Sequence, residues 1–302
     1  MPFRRSDCVG IVPRRRERAA ARYAGLVLDG LPATPPPVSW GVSRYLDVGD
    51  ERMRVVERGS SGPPLLMVHG YPSNAQAWRA VMDRLDGRYR MAAVDLVGFG
   101  WSSRQAARPL TDDAYADRLA GVLDALGWSR AAVAGQSWGG GLAQRLAAAN
   151  PHRVDRLVLV APVDPSRPLW LGSAGLRLGI RFPRLARIAV ARAQGNAGHA
   201  AGVAARELAA GYVDPLRLPG TAAFLARFLS DHAASTNLDL SRVQAPSLVI
   251  GPLADRVVSP ATGRSIAARI AGARYVGVPD AGHSVASESP ALVADLIAEF
   301  LA

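Results

Sequence analysis

The chain has 302 residues, of which 49% are hydrophobic, so it can fold as one large α/β domain that carries an insertion. No run of about 18 or more uncharged apolar residues occurs, so we expect no transmembrane helix. The net charge is +11 and all 36 basic residues are arginine, but no zinc-finger spacing, basic zipper or aromatic RNA-binding motif accompanies this charge, so we expect no nucleic-acid partner.

Residues 1–38 form a basic N-terminal arm that is closed by three consecutive prolines at 35–37. The arm lacks the apolar core of about 7–15 residues that a secretory signal needs, so we expect no export signal. It contains the single cysteine of the chain, Cys8, which cannot form an internal disulfide and fits a cytoplasmic location. We favour a solvated arm, or a short helix lying on the domain, over a contact with a membrane or a partner.

Short apolar strands alternate with helices between the arm and Pro162. The pattern predicts strands at 42–48, 53–58, 65–68, 91–94, 131–134 and 157–160. It predicts helices over 75–85, from an N-cap at Thr111 to Gly127, and from about 140 to Asn150. This alternation indicates a parallel sheet that is covered on both faces.

The alternation stops at Pro162 and resumes about 85 residues later. Residues 163–241 are rich in alanine, arginine and leucine, with helical patterning and no convincing strand. Further strands are predicted at 247–250 and 275–278, a helix over 260–270, and a last helix over 290–301 with Ser289 as its N-cap. We therefore predict an α/β core formed by 39–162 and 242–302, with a helical insertion, 163–241, between two of its strands.

The most informative motif is the pentapeptide Gly135-Gln136-Ser137-Trp138-Gly139, which lies between a predicted strand and a predicted helix. In that context G-x-S-x-G is typical of a nucleophile elbow. A serine on a sharp strand-to-helix turn needs small neighbours two residues away on each side, because the backbone folds back on itself. The turn also directs the helix N-terminus toward the group that the serine attacks.

A serine nucleophile needs a base and a group that orients the base, and the sequence offers both. His283 and Asp255 each follow a predicted strand, at the sheet edge where catalytic groups of open α/β folds gather. The chain order Ser137, Asp255, His283 is the order of α/β hydrolases. Asp164 is the alternative acid, because it follows the strand after the elbow; we favour Asp255.

The tetrahedral intermediate of acyl transfer needs two hydrogen-bond donors for its oxyanion. We expect one from the backbone N–H of Trp138, directly after the serine. The other is expected from the backbone N–H of Tyr71, in the loop His69-Gly70-Tyr71-Pro72 that follows the strand at 65–68. His69 is expected to brace this loop by hydrogen bonding rather than to transfer protons.

Taken together, these motifs resemble the α/β-hydrolase superfamily, in the branch with a His-Gly-x-Pro oxyanion loop. The resemblance covers residues 42–302 and includes the turn Asp95-Leu96-Val97-Gly98-Phe99-Gly100-Trp101-Ser102. It implies a mostly parallel eight-stranded sheet, a structural role for that turn, and a cap over the active site formed by 163–241. Epoxide hydrolases and haloalkane dehalogenases of this branch carry aspartate at the elbow, so serine at position 137 argues against both.

The expected activity is that of a serine hydrolase, similar to carboxylesterases, that needs neither a metal ion nor a cofactor and acts on a small acyl substrate. The same triad would also serve a C–C bond hydrolase, a lactonase or a cofactor-free haloperoxidase, and a ligand receptor with slow or no turnover is the non-enzymatic alternative.

Gln136 and Trp101 are weaker candidates for substrate contact; Trp101 would line the acyl pocket or pack the turn. Arg177, Arg181 and Arg184 have helical spacing, which we interpret as a solvated face.

Overall fold

A computed structural model describes residues 31–166, 214–235 and 237–302. Most of the predicted arm and most of the predicted cap, including Arg177, Arg181 and Arg184, lie outside the described residues. The domain boundaries drawn from the sequence therefore stay a prediction. Among the described helices, none combines the length and apolarity that crossing a bilayer requires.

A single eight-stranded sheet forms the centre of the described structure, as predicted. Its spatial order is β1-β2-β4-β3-β5-β6-β7-β8. The strands β1 and β2 pair antiparallel, as do β2 and β4, and the remaining neighbours are parallel. The strands are β1 (Val42–Val48), β2 (Glu51–Arg58), β3 (Pro64–Val68), β4 (Arg90–Val94), β5 (Ala131–Gln136), β6 (Val154–Val160), β7 (Ser247–Pro252) and β8 (Arg274–Val278).

Helices cover both faces of the sheet, which explains why the central strands are continuous apolar runs. On one face, α1 (Arg79–Leu85), α6 (Val285–Glu288) and α7 (Pro290–Leu301) pack on residues such as Leu65, Met67 and Ile250. The other face is covered by α2 (Asp112–Ala125), α3 (Trp138–Ala149), α4 (Thr221–His232) and α5 (Pro260–Arg269). Two separate apolar cores result, one on each side of the sheet.

Most predicted helix ends agree with the structure, and two local features differ. Thr111 caps α2 by accepting a hydrogen bond from the Ala114 N–H. The helix predicted over 75–85 is a 3₁₀ turn at Ala75–Trp78 followed by α1, and the Asn74 side chain caps the turn by accepting from the Gln76 N–H. Ser289 is the N-cap residue of α7, as predicted, but its side chain makes no capping hydrogen bond, and the same residue ends α6.

The described part of the insertion is anchored to the core through α4. Phe224 fills the space above Gly98, where a Cβ would lie 1.8 Å from its ring. Arg104 donates to Thr221 Oγ1 and to the Pro215 carbonyl, which ties the loop after β4 to the start of α4. These contacts hold α4 beside the carboxyl ends of the central strands, where the candidate residues collect.

Candidate active site

Ser137 occupies the sharp turn between β5 and α3 in a conformation that L-residues seldom adopt, with φ 53° and ψ −120°. The flanking glycines make this turn sterically allowed. A Cβ on Gly135 would lie 2.3 Å from the Gly139 carbonyl oxygen, and one on Gly139 would lie 2.3 Å from the His69 carbonyl oxygen. The elbow therefore requires glycine at both positions, as the motif predicts.

The structure brings Ser137, His283 and Asp255 together, although 28 and 146 residues separate them from one another along the chain. His283 Nε2 lies 2.9 Å from Ser137 Oγ, and His283 Nδ1 lies 2.8 Å from Asp255 Oδ2. With the carboxylate accepting from Nδ1–H, Nε2 is left as the acceptor for the serine hydroxyl. This geometry can remove a proton from Ser137.

Asp255 is held by backbone hydrogen bonds near His283, whereas the alternative acid, Asp164, forms an ion pair with a different residue. Asp255 Oδ1 accepts hydrogen bonds from the N–H groups of Val257 and Val258, at 2.7 and 2.9 Å. Asp164 instead pairs with Arg269 at 2.7 Å. Burial acts to raise the pKa of Asp164, but hydrogen bonds from Arg269 and Ser166 outweigh it and lower that pKa. The structure thus places Asp255, and not Asp164, against His283.

Two further residues contact the backbone around His283, and sequence reasoning missed this. Glu288 accepts hydrogen bonds from the N–H groups of Gly282 and Ser284, on either side of the histidine. Gln136 Nε2 donates to the His283 carbonyl at 3.3 Å, so its described contact is with the histidine loop. The available signal was weak: a glutamate four residues after the serine at a helix start is close to a capping pattern.

The loop His69–Pro72 lies against the elbow. A Cβ on Gly70 would lie 2.8 Å from Ser137 Cβ, so only glycine lets the loop approach this closely. His69 Nε2 accepts from the Leu96 N–H, so Nδ1 carries the proton and donates to the Gly70 carbonyl at 2.8 Å. Complete burial lowers the pKa of His69, which keeps it neutral. His69 thus braces the loop.

The orientation of the candidate oxyanion donors follows from these contacts. In a trans peptide the C=O and N–H point in opposite directions, so fixing the Gly70 carbonyl also fixes the direction of the Tyr71 N–H. Trp138 is the first residue of α3, and its N–H has no acceptor within the helix. The Trp138 N–H belongs to the residue after Ser137, and the Tyr71 N–H belongs to the residue after Gly70, which packs on the serine.

An aromatic cluster supports both residues from the side of α4. The rings of Tyr71 and Phe228 stack at 5.6 Å, and Trp138 meets Phe228 edge-on at 5.3 Å. The Trp138 indole N–H donates to Asp112 at 2.9 Å. Burial raises the pKa of Tyr71 to about 12, so its phenol stays protonated at neutral pH. The backbone donors thus rest on closely packed side chains.

A comparison with protein families agrees with this geometry. Residues 63–290 match the family model described as alpha/beta hydrolase fold. The chain belongs to the α/β-hydrolase family. As an α/β hydrolase, it carries its candidate nucleophile at the elbow after β5 and its candidate histidine after β8.

This α/β hydrolase is similar to a 2-hydroxymuconate semialdehyde hydrolase of Pseudomonas putida, with 30% identity over 282 residues, 88% of this chain and 96% of that protein. It is 38% identical over 140 residues to the protein of the same name from Pseudomonas sp. (strain CF600), a match that spans 49% of that protein. The crystal structure of an esterase, RhEst1 from Rhodococcus sp. ECU1013, is similar with a TM-score of 0.70 and 26% identity, over 85% of this chain and 98% of that chain.

The remaining candidates have less defined positions in this hydrolase. Trp101 is half-buried on the turn after β4, and its backbone N–H donates to the buried carboxylate of Asp95. Its role in substrate contact stays a prediction. Within 31–166, 214–235 and 237–302, no three histidine, cysteine or carboxylate side chains gather as a metal site would require.

Proposed function

We propose that this chain is a serine hydrolase that transfers the acyl group of a carboxylic ester to water through an acyl-enzyme at Ser137. One observation supports this most: Ser137 Oγ, His283 and Asp255 form a continuous hydrogen-bonded row, with distances of 2.9 and 2.8 Å. The strained elbow and the glycine-lined approach of the oxyanion loop are what such a reaction needs.

In the proposed mechanism His283 Nε2 takes the hydroxyl proton as Ser137 Oγ attacks the acyl carbon. Asp255 holds the imidazole in its tautomer and stabilises the imidazolium. The backbone N–H groups of Tyr71 and Trp138 donate to the oxyanion. His283 then protonates the leaving alcohol, the acyl-enzyme forms, and a water activated by the same histidine releases the acid.

A second candidate is hydrolysis of a C–C bond, and the relatives named above favour it. A 2-hydroxymuconate semialdehyde has an aldehyde, an enol and a carboxylate but no ester, so its hydrolysis must break a C–C bond. Before this bond can break, the enol must ketonise, with a proton moving to the carbon next to the aldehyde. Serine attack on the aldehyde carbon would then expel a dienolate that the conjugated system stabilises. Because the same triad serves both reactions, the choice depends on substrate recognition.

Three experiments test the proposal. A fluorophosphonate probe should label Ser137 in the folded chain, and Ser137→Ala should lower turnover by at least about 10³-fold. Absence of label in folded protein would favour a receptor without chemistry. A panel of p-nitrophenyl esters, lactones and vinylogous diketones then separates the substrate classes by kcat/KM; full ester turnover by Ser137→Ala would contradict the mechanism.

A further inference from the structure

The loop that carries His283 is held by one side chain from both sides. Glu288 Oε2 accepts the Gly282 N–H at 2.6 Å, and Glu288 Oε1 accepts the Ser284 N–H at 3.1 Å. Both bonds involve a charged acceptor, which makes them stronger than bonds between neutral groups. The two peptide units that flank the histidine therefore share a single anchor.

A third contact ties the same loop to the elbow. Gln136 Nε2 donates to the His283 carbonyl at 3.3 Å, and Gln136 directly precedes Ser137. The loop is also joined to the acid's loop, because the Ala254 N–H donates to the Ala281 carbonyl. Asp255 contacts the imidazole itself, whereas these hydrogen bonds hold the backbone that carries it.

Helix capping alone does not explain the position of Glu288. Ser284 is the N-cap of α6, and its N–H would be a natural partner for a returning glutamate. The Gly282 N–H lies two residues earlier, outside the helix, yet it makes the shorter of the two bonds. A Cβ at Gly282 would lie 3.1 and 3.2 Å from the two carboxylate oxygens, so glycine permits this close approach.

We propose that Glu288 is a positioning residue that holds the His283 loop in register with Ser137 and Asp255, an inference that rests on the proposed serine-hydrolase function. The role requires a carboxylate. Glutamine offers only one acceptor oxygen, and its amide N–H would face a backbone N–H, leaving one of the two donors unpaired. The histidine would then sit imprecisely for proton transfer, although the fold remains.

The test compares Glu288→Gln with wild type in the full chain, using fluorophosphonate inactivation to separate the limiting rate of acylation from probe binding. We expect Glu288→Gln to lower the limiting rate by about 10- to 100-fold, the loss that a misplaced catalytic group causes, with probe binding unchanged. Proton NMR should show broadening of the low-field signal of His283 Nδ1–H. The control, Glu299→Gln, removes an exposed carboxylate that pairs with Arg274 and should behave as wild type.

Each outcome decides between specific alternatives. A folded Glu288→Gln protein with the wild-type limiting rate and low-field signal overturns the inference and makes Glu288 a helix cap only. If that variant fails to fold, Glu288→Asp replaces it, because the shorter side chain cannot reach both N–H groups; a wild-type rate there equally overturns the inference. Absence of labelling in wild type contradicts the proposed function itself, which is distinguishable from failure of the variant alone.

Discussion

Glycines at three positions determine how closely the chain segments around Ser137 approach one another. Gly135 and Gly139 allow the turn itself, and Gly70 allows a separate loop to pack on the serine. The first two follow from the motif, because a nucleophile elbow needs small residues at those positions. The third lies in the loop that is expected to supply an oxyanion donor, where glycine allows a tight approach, and the structure adds the distance of 2.8 Å from the position of an added Cβ to Ser137 Cβ.

Replacing Gly70 with alanine should therefore damage activity more than stability. The added Cβ meets Ser137 Cβ at 2.8 Å and the Gln136 carbonyl at 3.1 Å, so the loop must move away from the elbow. We expect a fall in kcat of about 10²-fold, from a displaced oxyanion donor. Gly87→Ala is the control: its φ of 75° makes alanine strained, so stability should fall, but no atom lies within 4 Å of the added Cβ and kcat should stay at the wild-type value. Equal kcat in both variants would contradict this role for the loop.

The buried His69 should make stability depend on pH. Its pKa is lowered in the folded state by burial, so below about pH 6.5 the unfolded chain binds a proton that the folded chain does not. Stability contributed by neutral His69 is complete above that pH and is lost as the pH falls, by up to about 1.4 kcal/mol per pH unit. Urea unfolding at several pH values measures this slope.

Two histidine variants test whether His69 causes this slope, one at His69 itself and one at a control position. His69→Gln should have a shallower decline between about pH 6.5 and 5 than wild type, because one titrating group is gone. His152→Gln, at an exposed position, should keep the wild-type slope. Parallel curves for wild type and His69→Gln would contradict a lowered pKa of His69 in the folded chain.

At the scale of elements, all the predicted strands and most of the predicted helix ends agree with the structure, and the largest difference among the strands is β6, which begins at Val154 rather than at residue 157. Short apolar runs such as Leu65–Val68 are buried on both faces, so composition alone identifies them. Two helix starts differ in detail: a 3₁₀ turn precedes α1, and the N-cap residue Ser289 makes no side-chain hydrogen bond to α7, because helix ends depend on a few local contacts. The docking of α4 could not be predicted, because it depends on a contact between Phe224 and Gly98, more than a hundred residues apart in the sequence.

Packing of α4 should be a main source of stability for the described part of the insertion. Phe228 is fully buried among Tyr71, Phe99 and Trp138. Phe228→Ala should lower the free energy of unfolding by about 3–5 kcal/mol through lost burial and a cavity. It should also reduce activity, since the ring supports the residues with the proposed oxyanion donors. Urea denaturation and ester turnover measure the two effects.

The exposed face of the same helix provides the control for Phe228→Ala. Ser230→Ala changes a solvent-facing position on α4, so the free energy of unfolding should change by less than about 0.5 kcal/mol. A similarly small change in Phe228→Ala would mean that α4 is held by its polar contacts, such as those of Arg104, rather than by its aromatic face.

For the whole molecule, the fold and the hydrolase family were predictable from the sequence, and the substrate was not. The order of Ser137, Asp255 and His283 at strand ends follows from sequence, because catalytic groups of such sheets gather at one edge. Substrate recognition is expected to depend on the predicted cap, 163–241, and its composition, rich in alanine and arginine, contains no motif that indicates a substrate. Gln136 illustrates the limit: a substrate contact was expected from its position, and its described contact is with His283.

The distribution of charge along the chain leads to a last prediction, which concerns the class of substrate. Residues 1–30 contain seven arginines and three acidic residues, and residues 167–213 contain seven arginines and one acidic residue. These two segments thus carry nearly all of the net charge of +11. Such a field raises the encounter rate of anionic ligands, and salt screens it over about 10 Å at 0.1 M.

We therefore expect kcat/KM for an anionic substrate to fall about 3- to 10-fold when salt rises from about 20 to about 300 mM, because screening removes the attraction. The matched control is the methyl ester of the same carboxylate, which has no charge and should change less than twofold. Equal salt dependence for both compounds would contradict electrostatic steering. Since a semialdehyde substrate carries a carboxylate and a simple ester does not, the two proposed substrate classes should respond differently to salt.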